Sequence, residues 1–447
     1  MKSMIEKSKS VFLGSSIALV MRILAAGLEL GFNILLVKII GVEEGGAFVL
    51  GMAITQIGTV FGRVGLDNVL LRHVAANVAI GRWDVARDVY NKSIGITTAA
   101  SVITTAVVYL SAPFISIQIL AKPELIDPIR IMSLTILPIS LMQLNSESLK
   151  GIDKIFYSQL FYSAAVPGLL LAGLLIFGGS YGLNGILWSY IAASWIVALG
   201  SILVLRMNVP GGKPAGGEHT VRSLLKSSVP LFWVKSMNLA MGWAGILALG
   251  IWGTKADVAI FNITSRIILA LSMLHIAVNS ISAPRFAALY KLNDFEELNT
   301  LARSVTKLVV GLTAPLFLLL FVMPLFADKF IIDPDLNIYI DVLMILTFGQ
   351  LINVFTGPVN MLLMMSAHER LVRNNNIFAA MVNFALNIFL VPQMGVRGAA
   401  IALAVGLLVV NIISMYLVWK NLRIMTTPII PQKVVDGWLK RSSRSEA

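Results

Sequence analysis

The sequence predicts an all-α polytopic membrane protein of about twelve transmembrane helices in two six-helix repeats. Three observations carry that prediction. The 447-residue chain is 57% hydrophobic and 13% charged, with a mean hydropathy of +0.84, whereas soluble domains carry about 25% charge. Apolar segments of about 20 residues recur along it, each long enough to cross the hydrocarbon core as a helix, and none shows the alternation that a barrel strand needs. Landmarks also recur at one offset: Arg72 with Arg285 and Gly182-Leu-Asn-Gly185 with Gly395-Val-Arg-Gly398 (285 − 72 = 395 − 182 = 213), and Gly41 with Gly253 (212). An offset held over most of a chain marks structural repeats, and transporters are often built from such repeats.

Taken in order, span 1 is Val11–Val37, a retained helix rather than a cleaved signal, because its apolar run has no clear small-residue cleavage site. Span 2 is Ala47–Leu66. A basic amphipathic connector, Arg72–Lys92, suited to lie on a membrane surface, leads to span 3, Ile94–Ile115. Spans 4, 5 and 6 are Pro128–Leu149, Ile155–Phe177 and Leu183–Leu205. Asn208–Gly217 (NVPGGKPAGG) is the one Pro/Gly-rich linker and falls near the midpoint. It divides an N-terminal lobe, 1–207, from a C-terminal lobe, 223–420, through an inter-lobe linker, 208–222; a basic tail, 421–447, follows. Spans 7 and 8 are Leu224–Trp252 and Val258–Ile281, and a second basic connector runs from Arg285 to Lys307. Spans 9 to 12 are Leu308–Phe326, Ile338–Met365, Leu371–Val391 and Ala399–Trp419.

Twelve spans put both termini on one side. Nearly all Lys and Arg lie on that side; the other holds Lys38, Lys122, Arg130, Lys255, Lys329 and Arg397. The positive-inside rule then predicts cytoplasmic termini in a cell inner membrane. It also accounts for the net charge of +12 without nucleic acid as a partner. The tail Lys433–Arg444 suits an anionic membrane lipid or a plain inner anchor. With no cysteine there is no disulfide framework or thiolate metal site, and the four histidines show no ligand spacing. No cofactor is expected, with Na+ or H+ left open as a coupling ion.

Four cations fall inside spans: Arg22, Arg63, Lys235 and Arg266. A cation at the bilayer centre costs roughly 2.5–3.5 kcal/mol on insertion scales, so such residues tend to meet a cavity, a counter-ion or a ligand. Arg22, Glu29 and Asn33 share one helix face, as do Asn262 and Arg266. Asn353, Gly357 and Asn360 form a small and polar stripe with Gln350 nearby. Together these suit a hydrophilic cleft whose substrate-binding residues are Arg22, Arg63, Lys235, Arg266, Asn262, Asn33, Asn353 and Asn360. Plainer readings stand beside this one. Arg22 could pair with Glu29, Arg63 could snorkel to the interface, and Asp328, Asp333, Asp335 and Asp341 form a solvated outer loop. Glu29, Asp67 and Glu147 are the candidates for ion coupling, although the last two read more readily as structural partners near the inner interface than as proton carriers.

The run Gly65-Leu-Asp-Asn-Val-Leu-Leu-Arg72, its connector, and Pro284-Arg285-Phe286-Ala287-Ala288-Leu289-Tyr290 resemble the polysaccharide transporter family. These are the O-antigen-type flippases of the multidrug/oligosaccharidyl-lipid/polysaccharide (MOP) superfamily. The resemblance implies two six-helix lobes facing each other in a V and no enzymatic activity. The implied function is transfer of a polyprenyl-pyrophosphate-linked oligosaccharide for surface polysaccharide such as lipopolysaccharide. Related lipid-linked precursor flippases carry cavity arginines on the first, second and eighth helices, which Arg22, Arg63 and Arg266 match by helix. The peptidoglycan-precursor branch usually has two further C-terminal spans, absent here. A polysaccharide polymerase or other assembly protein is the implied partner, besides the lipid-linked oligosaccharide itself. The alternative is a cation-coupled multidrug antiporter of the same superfamily.

Overall fold

The computed structural model describes residues 2–213, 220–330 and 336–427, with side chains left out at 2–16, 323–330, 336–338 and scattered positions within 230–241 and 277–284. The described residues are almost wholly helical. In order they form α1 (Lys2–Ile40), α2 (Val42–Arg63), α3 (Leu66–Ala79), α4 (Trp83–Pro113), α5 (Ile126–Ser133), α6 (Ile136–Gly151), α7 (Ile155–Gln159), α8 (Ala165–Asn208), α9 (Val221–Trp252), α10 (Lys255–Lys291), α11 (Phe295–Phe330), α12 (Leu336–Thr356), α13 (Val359–Met365) and α14 (Glu369–Leu422). Among the described residues, eight helical segments are long and apolar enough to cross a membrane, or nine with the bent pair Pro123–Ser133 and Ile136–Gly151.

Two of these segments, Ile155–Asn208 and Glu369–Leu422, contain 54 residues each, far more than the roughly 20 that one crossing needs. Each is a hairpin. Gly182 (φ 56, ψ −141) and Gly395 (φ 56, ψ −131) interrupt the helical dihedrals in a region that only glycine enters readily. The chain then returns along itself. A Cβ on Gly173 would lie 2.6 Å from Ser189, and Asn383 Nδ2 donates to Ala402 O at 2.9 Å. With each hairpin counted as two crossings and α9 added, the helices supply the twelve crossings that hydropathy predicts.

The repeat is visible in backbone conformation. Positive φ recurs at Gly81 and Asn293, Asp153 and Ala367, and Gly182 and Gly395, at offsets of 212 (293 − 81), 214 (367 − 153) and 213 (395 − 182). After both hairpin turns a second glycine is pressed against backbone. A Cβ on Gly185 would sit 2.9 Å from Phe177 O, and one on Gly398 2.4 Å from Leu390 O, eight residues back in both cases. At Gly395 itself a Cβ would meet nothing within 4 Å, so Gly395→Ala isolates backbone strain. It is expected to cost about 1–3 kcal/mol, read as a lower melting temperature in detergent.

Contacts divide the chain into two compact units, residues 1–263 and 264–447. In the first, Phe32, Leu36, Phe48, Leu174, Ile186 and Tyr190 belong to one buried cluster. Helix α9 packs along α2 and α3: Phe232 meets Phe61 edge-on at 5.3 Å, and a Cβ on Gly65 would lie 2.6 Å from Ser228 O. These contacts place α9 in the first compact unit, beyond the Pro/Gly-rich linker, of which residues 214–219 lie outside the described residues. In the second unit, Phe286, Leu298, Ala302, Leu362, Val418 and Leu422 form the buried cluster where α10, α11, α13 and α14 meet. Of the acidic outer loop, the side chains of Asp328, Asp333 and Asp335 lie outside the described residues. Asp341 forms an ion pair with Arg397 at 2.5 Å. The tail Lys433–Arg444 is also outside them.

Candidate functional site

Helix α1 presents its polar face in steps. A helix rises 1.5 Å per residue, so Asn33 lies about 10 Å from the Ile40 end and Arg22 about 27 Å from it. Asn33 is buried and donates from Nδ2 to Glu29 O at 2.7 Å. Its Oδ1 accepts from Asn262 Nδ2 at 2.6 Å. Asn262, 2% exposed, lies about 10 Å from the Lys255 end of α10. Two asparagines singled out on separate helices are therefore one buried amide pair, 229 residues apart in sequence. Such a pair satisfies amides that would otherwise be costly away from water. One turn further along α10, Arg266 is half-buried.

Arg22 is exposed and has no ion pair or side-chain hydrogen bond among the described residues, so the structure does not join it to Glu29. Glu29 is half-buried.

Arg63 is buried and held locally. Its Nη1 lies 2.9 Å from Asp67 Oδ2 and its Nε donates to Thr59 O at 3.1 Å. The α2–α3 break at Val64 and Gly65 (φ 50 and 72) falls between the two charges. Glu147 stands 3.5 Å from Lys150. In the second unit, Asn353 donates to Gln350 at 3.3 Å. Asn360 accepts from Ser414 Oγ at 2.7 Å, and Ser414 in turn accepts from Asn375 at 2.7 Å. Asn360 thus belongs to a network that ties α13 to both arms of the α14 hairpin. The repeat-equivalent Ser201 (414 − 201 = 213) bonds Asn145 in the first unit at 2.9 Å. The Lys235 side chain lies outside the described residues.

A second charged group gathers at the starts of α2 and α10. Lys255 Nζ lies 3.1 Å from Glu124 and 3.5 Å from Glu43. Lys122 Nζ donates to Gly250 O at 2.6 Å, and burial holds the Lys122 ammonium below the usual lysine range. These residues close α2, the segment before α5, and the α9–α10 turn against one another. The arrangement offers hydrogen-bonding amides and cations along helix faces. Among the described residues no three His, Asp or Glu side chains come together as a metal site.

Residues 12–290 match the model of a family described as polysaccharide biosynthesis protein. No curated protein matches the chain. Among solved structures, the lipid II flippase MurJ in an inward closed conformation superposes with a TM-score of 0.71 at 14% identity, over 94% of this chain and 90% of that one. An inward-facing MATE family multidrug resistance transporter of the MOP superfamily gives 0.71 at 15% identity, over 92% and 98%. A MOP superfamily transporter from Pyrococcus furiosus, described as having a binding pocket of reversed polarity, gives 0.63 at 15%, over 92% and 95%. At these identities the likeness is one of fold.

Proposed function

Because this chain belongs to the polysaccharide biosynthesis protein family and has the MOP transporter fold, we propose that it is a flippase. It moves a polyprenyl-pyrophosphate-linked oligosaccharide across the cell inner membrane, with both termini cytoplasmic, for a surface polysaccharide such as O-antigen. The two six-helix repeats, residues 1–207 and 223–420, alternate access.

The observation that supports this most is Arg22. It is a span cation without a counter-ion among the described residues, about 27 Å from the Ile40 end of α1 and so near the inner edge of a core about 30 Å thick. A lipid pyrophosphate arrives at that depth, and arginine holds phosphate bidentately through a planar fork of donors. Arg266, about 16 Å from the Lys255 end of α10, is proposed to hold the same group farther along its path. The polyprenyl chain stays in lipid.

The test is leaflet transfer of a fluorescent undecaprenyl-pyrophosphate oligosaccharide in liposomes. Charge-assisted hydrogen bonds contribute about 1.5–3 kcal/mol each, so Arg22→Ala and Arg266→Ala should each slow transfer about 10- to 100-fold while the protein still reconstitutes. Wild-type rates in both variants would remove the arginines from the mechanism. A second reading, a cation-coupled multidrug antiporter, is favoured by the equal TM-score of the MATE transporter and by the half-buried Glu29. It predicts no oligosaccharide transfer and uptake of a cationic dye driven by Na+ or H+.

A further inference from the structure

A cavity of about 440 Å³ opens at the connector face of the first unit, between the start of α4, the ends of α6 and α8, and residues 209–212. Val74, Ile94, Ile202 and Leu205 make its wall apolar, while Arg87 and Arg206 are its charged lining residues and no Asp or Glu lines it among the described residues. That composition, apolar with a few placed polar groups, is the usual one for a small-molecule site of this size. Arg87 stands four residues into α4, and Arg206 two residues from the end of α8. Both therefore lie near the ends of their helices.

Neither arginine has a carboxylate partner among the described residues. The Arg87 guanidinium donates to the carbonyl of Pro210, which uses one of its five donors. A Cβ on Gly212 would lie 2.9 Å from Arg87 Nη1, so the chain leaving α8 passes directly over the guanidinium. Tyr90, one turn on from Arg87, is already committed to Asn145 at 2.8 Å and fixes the floor.

We infer that this cavity binds an anionic phospholipid, with the headgroup phosphate between Arg87 and Arg206 and an acyl chain against Ile94, Ile202 and Leu205. Charge complementarity selects that occupant. Two guanidiniums without a carboxylate partner among the described residues call for an anion, the apolar wall calls for a hydrocarbon chain, and basic pockets at the cytoplasmic ends of transmembrane helices take anionic headgroups in this way. The chain's own tail is a poor competitor: residues 428–447 carry Lys433, Lys440, Arg441 and Arg444 against Asp436 and Glu446. The inference needs only the membrane setting and stands apart from the flippase reading.

The test uses the full chain in a neutral detergent, with bound lipid counted by native mass spectrometry and melting temperature followed in parallel. Phosphatidylglycerol is expected to leave one retained lipid per chain and to raise the melting temperature. Arg206→Gln, at an exposed side chain, should weaken retention about 10-fold, as should Arg87→Gln. Ile202→Trp, which fills the cavity and keeps both arginines, should abolish it. Equal retention of phosphatidylcholine would overturn the proposal, because charge would not be selecting. An equal thermal shift with inorganic phosphate alone would also overturn it, by making the site one for a free anion. So would unchanged retention in Ile202→Trp, because no chain would then enter the cavity.

Discussion

Alanine at position 46 is expected to cost about 3 kcal/mol or more, although an alanine for glycine in a helix ordinarily gains roughly 1 kcal/mol. The sign reverses because of what the new methyl would meet. A Cβ on Gly46 would stand 1.8 Å from the Lys255 carbonyl oxygen, 2.5 Å from its carbon and 2.9 Å from its Cα. All three are backbone atoms at the start of α10 and cannot swing aside as a flexible side chain would. Close backbone approach at a small residue is how transmembrane helices pack when lipid removes the hydrophobic drive between them. Separating α2 from Lys255 would also strain the ion pairs from Lys255 to Glu43 and Glu124. Gly95→Ala is the control. That glycine lies within α4 with nothing within 4 Å of its Cβ position, so it should gain up to roughly 1 kcal/mol. Melting curves in one detergent would show opposite shifts; parallel shifts would mean that α2 and the start of α10 do not touch as described.

How far the sequence reaches differs between the fold and the site. The repeat is legible because tight turns restrict residue type. Gly182 and Gly395 occupy dihedrals that a Cβ forbids, and Gly185 and Gly398 face backbone carbonyls, so the motif recurs at the same spacing. Asp153 and Ala367 share a left-handed conformation without sharing a residue type, and the sequence is silent there. For the site, periodicity finds faces but not partners. It marks Asn33 and Asn262 separately, and only the fold joins them. At short range the sequence leaves roles open: Arg63 is readable as a substrate contact or a snorkelling cation, and Asp67 as an ion-coupling carboxylate or a structural partner. The structure places them 2.9 Å apart. The cluster of Lys255 with Glu43 and Glu124 has no local signature, because its charges come from three segments that meet only at the ends of their helices.

The Arg63–Asp67 pair supplies the other large effect and decides between two roles. Arg63 and Asp67 are 7% and 2% exposed. Asp67→Ala therefore strands a buried guanidinium, which costs about 3–5 kcal/mol when a buried pair is broken from one side. The protein should melt well below the wild type and accumulate poorly. Replacing both partners with apolar residues of similar volume, Arg63→Met with Asp67→Leu, removes the charge together with its counter-ion and should return most of that stability. Transport by the double variant then separates the roles. If Arg63 only closes the α2–α3 break, the folded double variant transfers lipid-linked oligosaccharide at close to the wild-type rate. If Arg63 holds pyrophosphate, the same folded variant is slow, as Arg22→Ala and Arg266→Ala are expected to be. The geometry favours the first outcome. A guanidinium that already donates to Asp67 and to Thr59 O, with little surface exposed, has few donors left to offer a phosphate, whereas Arg22 is exposed and has no side-chain hydrogen bond among the described residues.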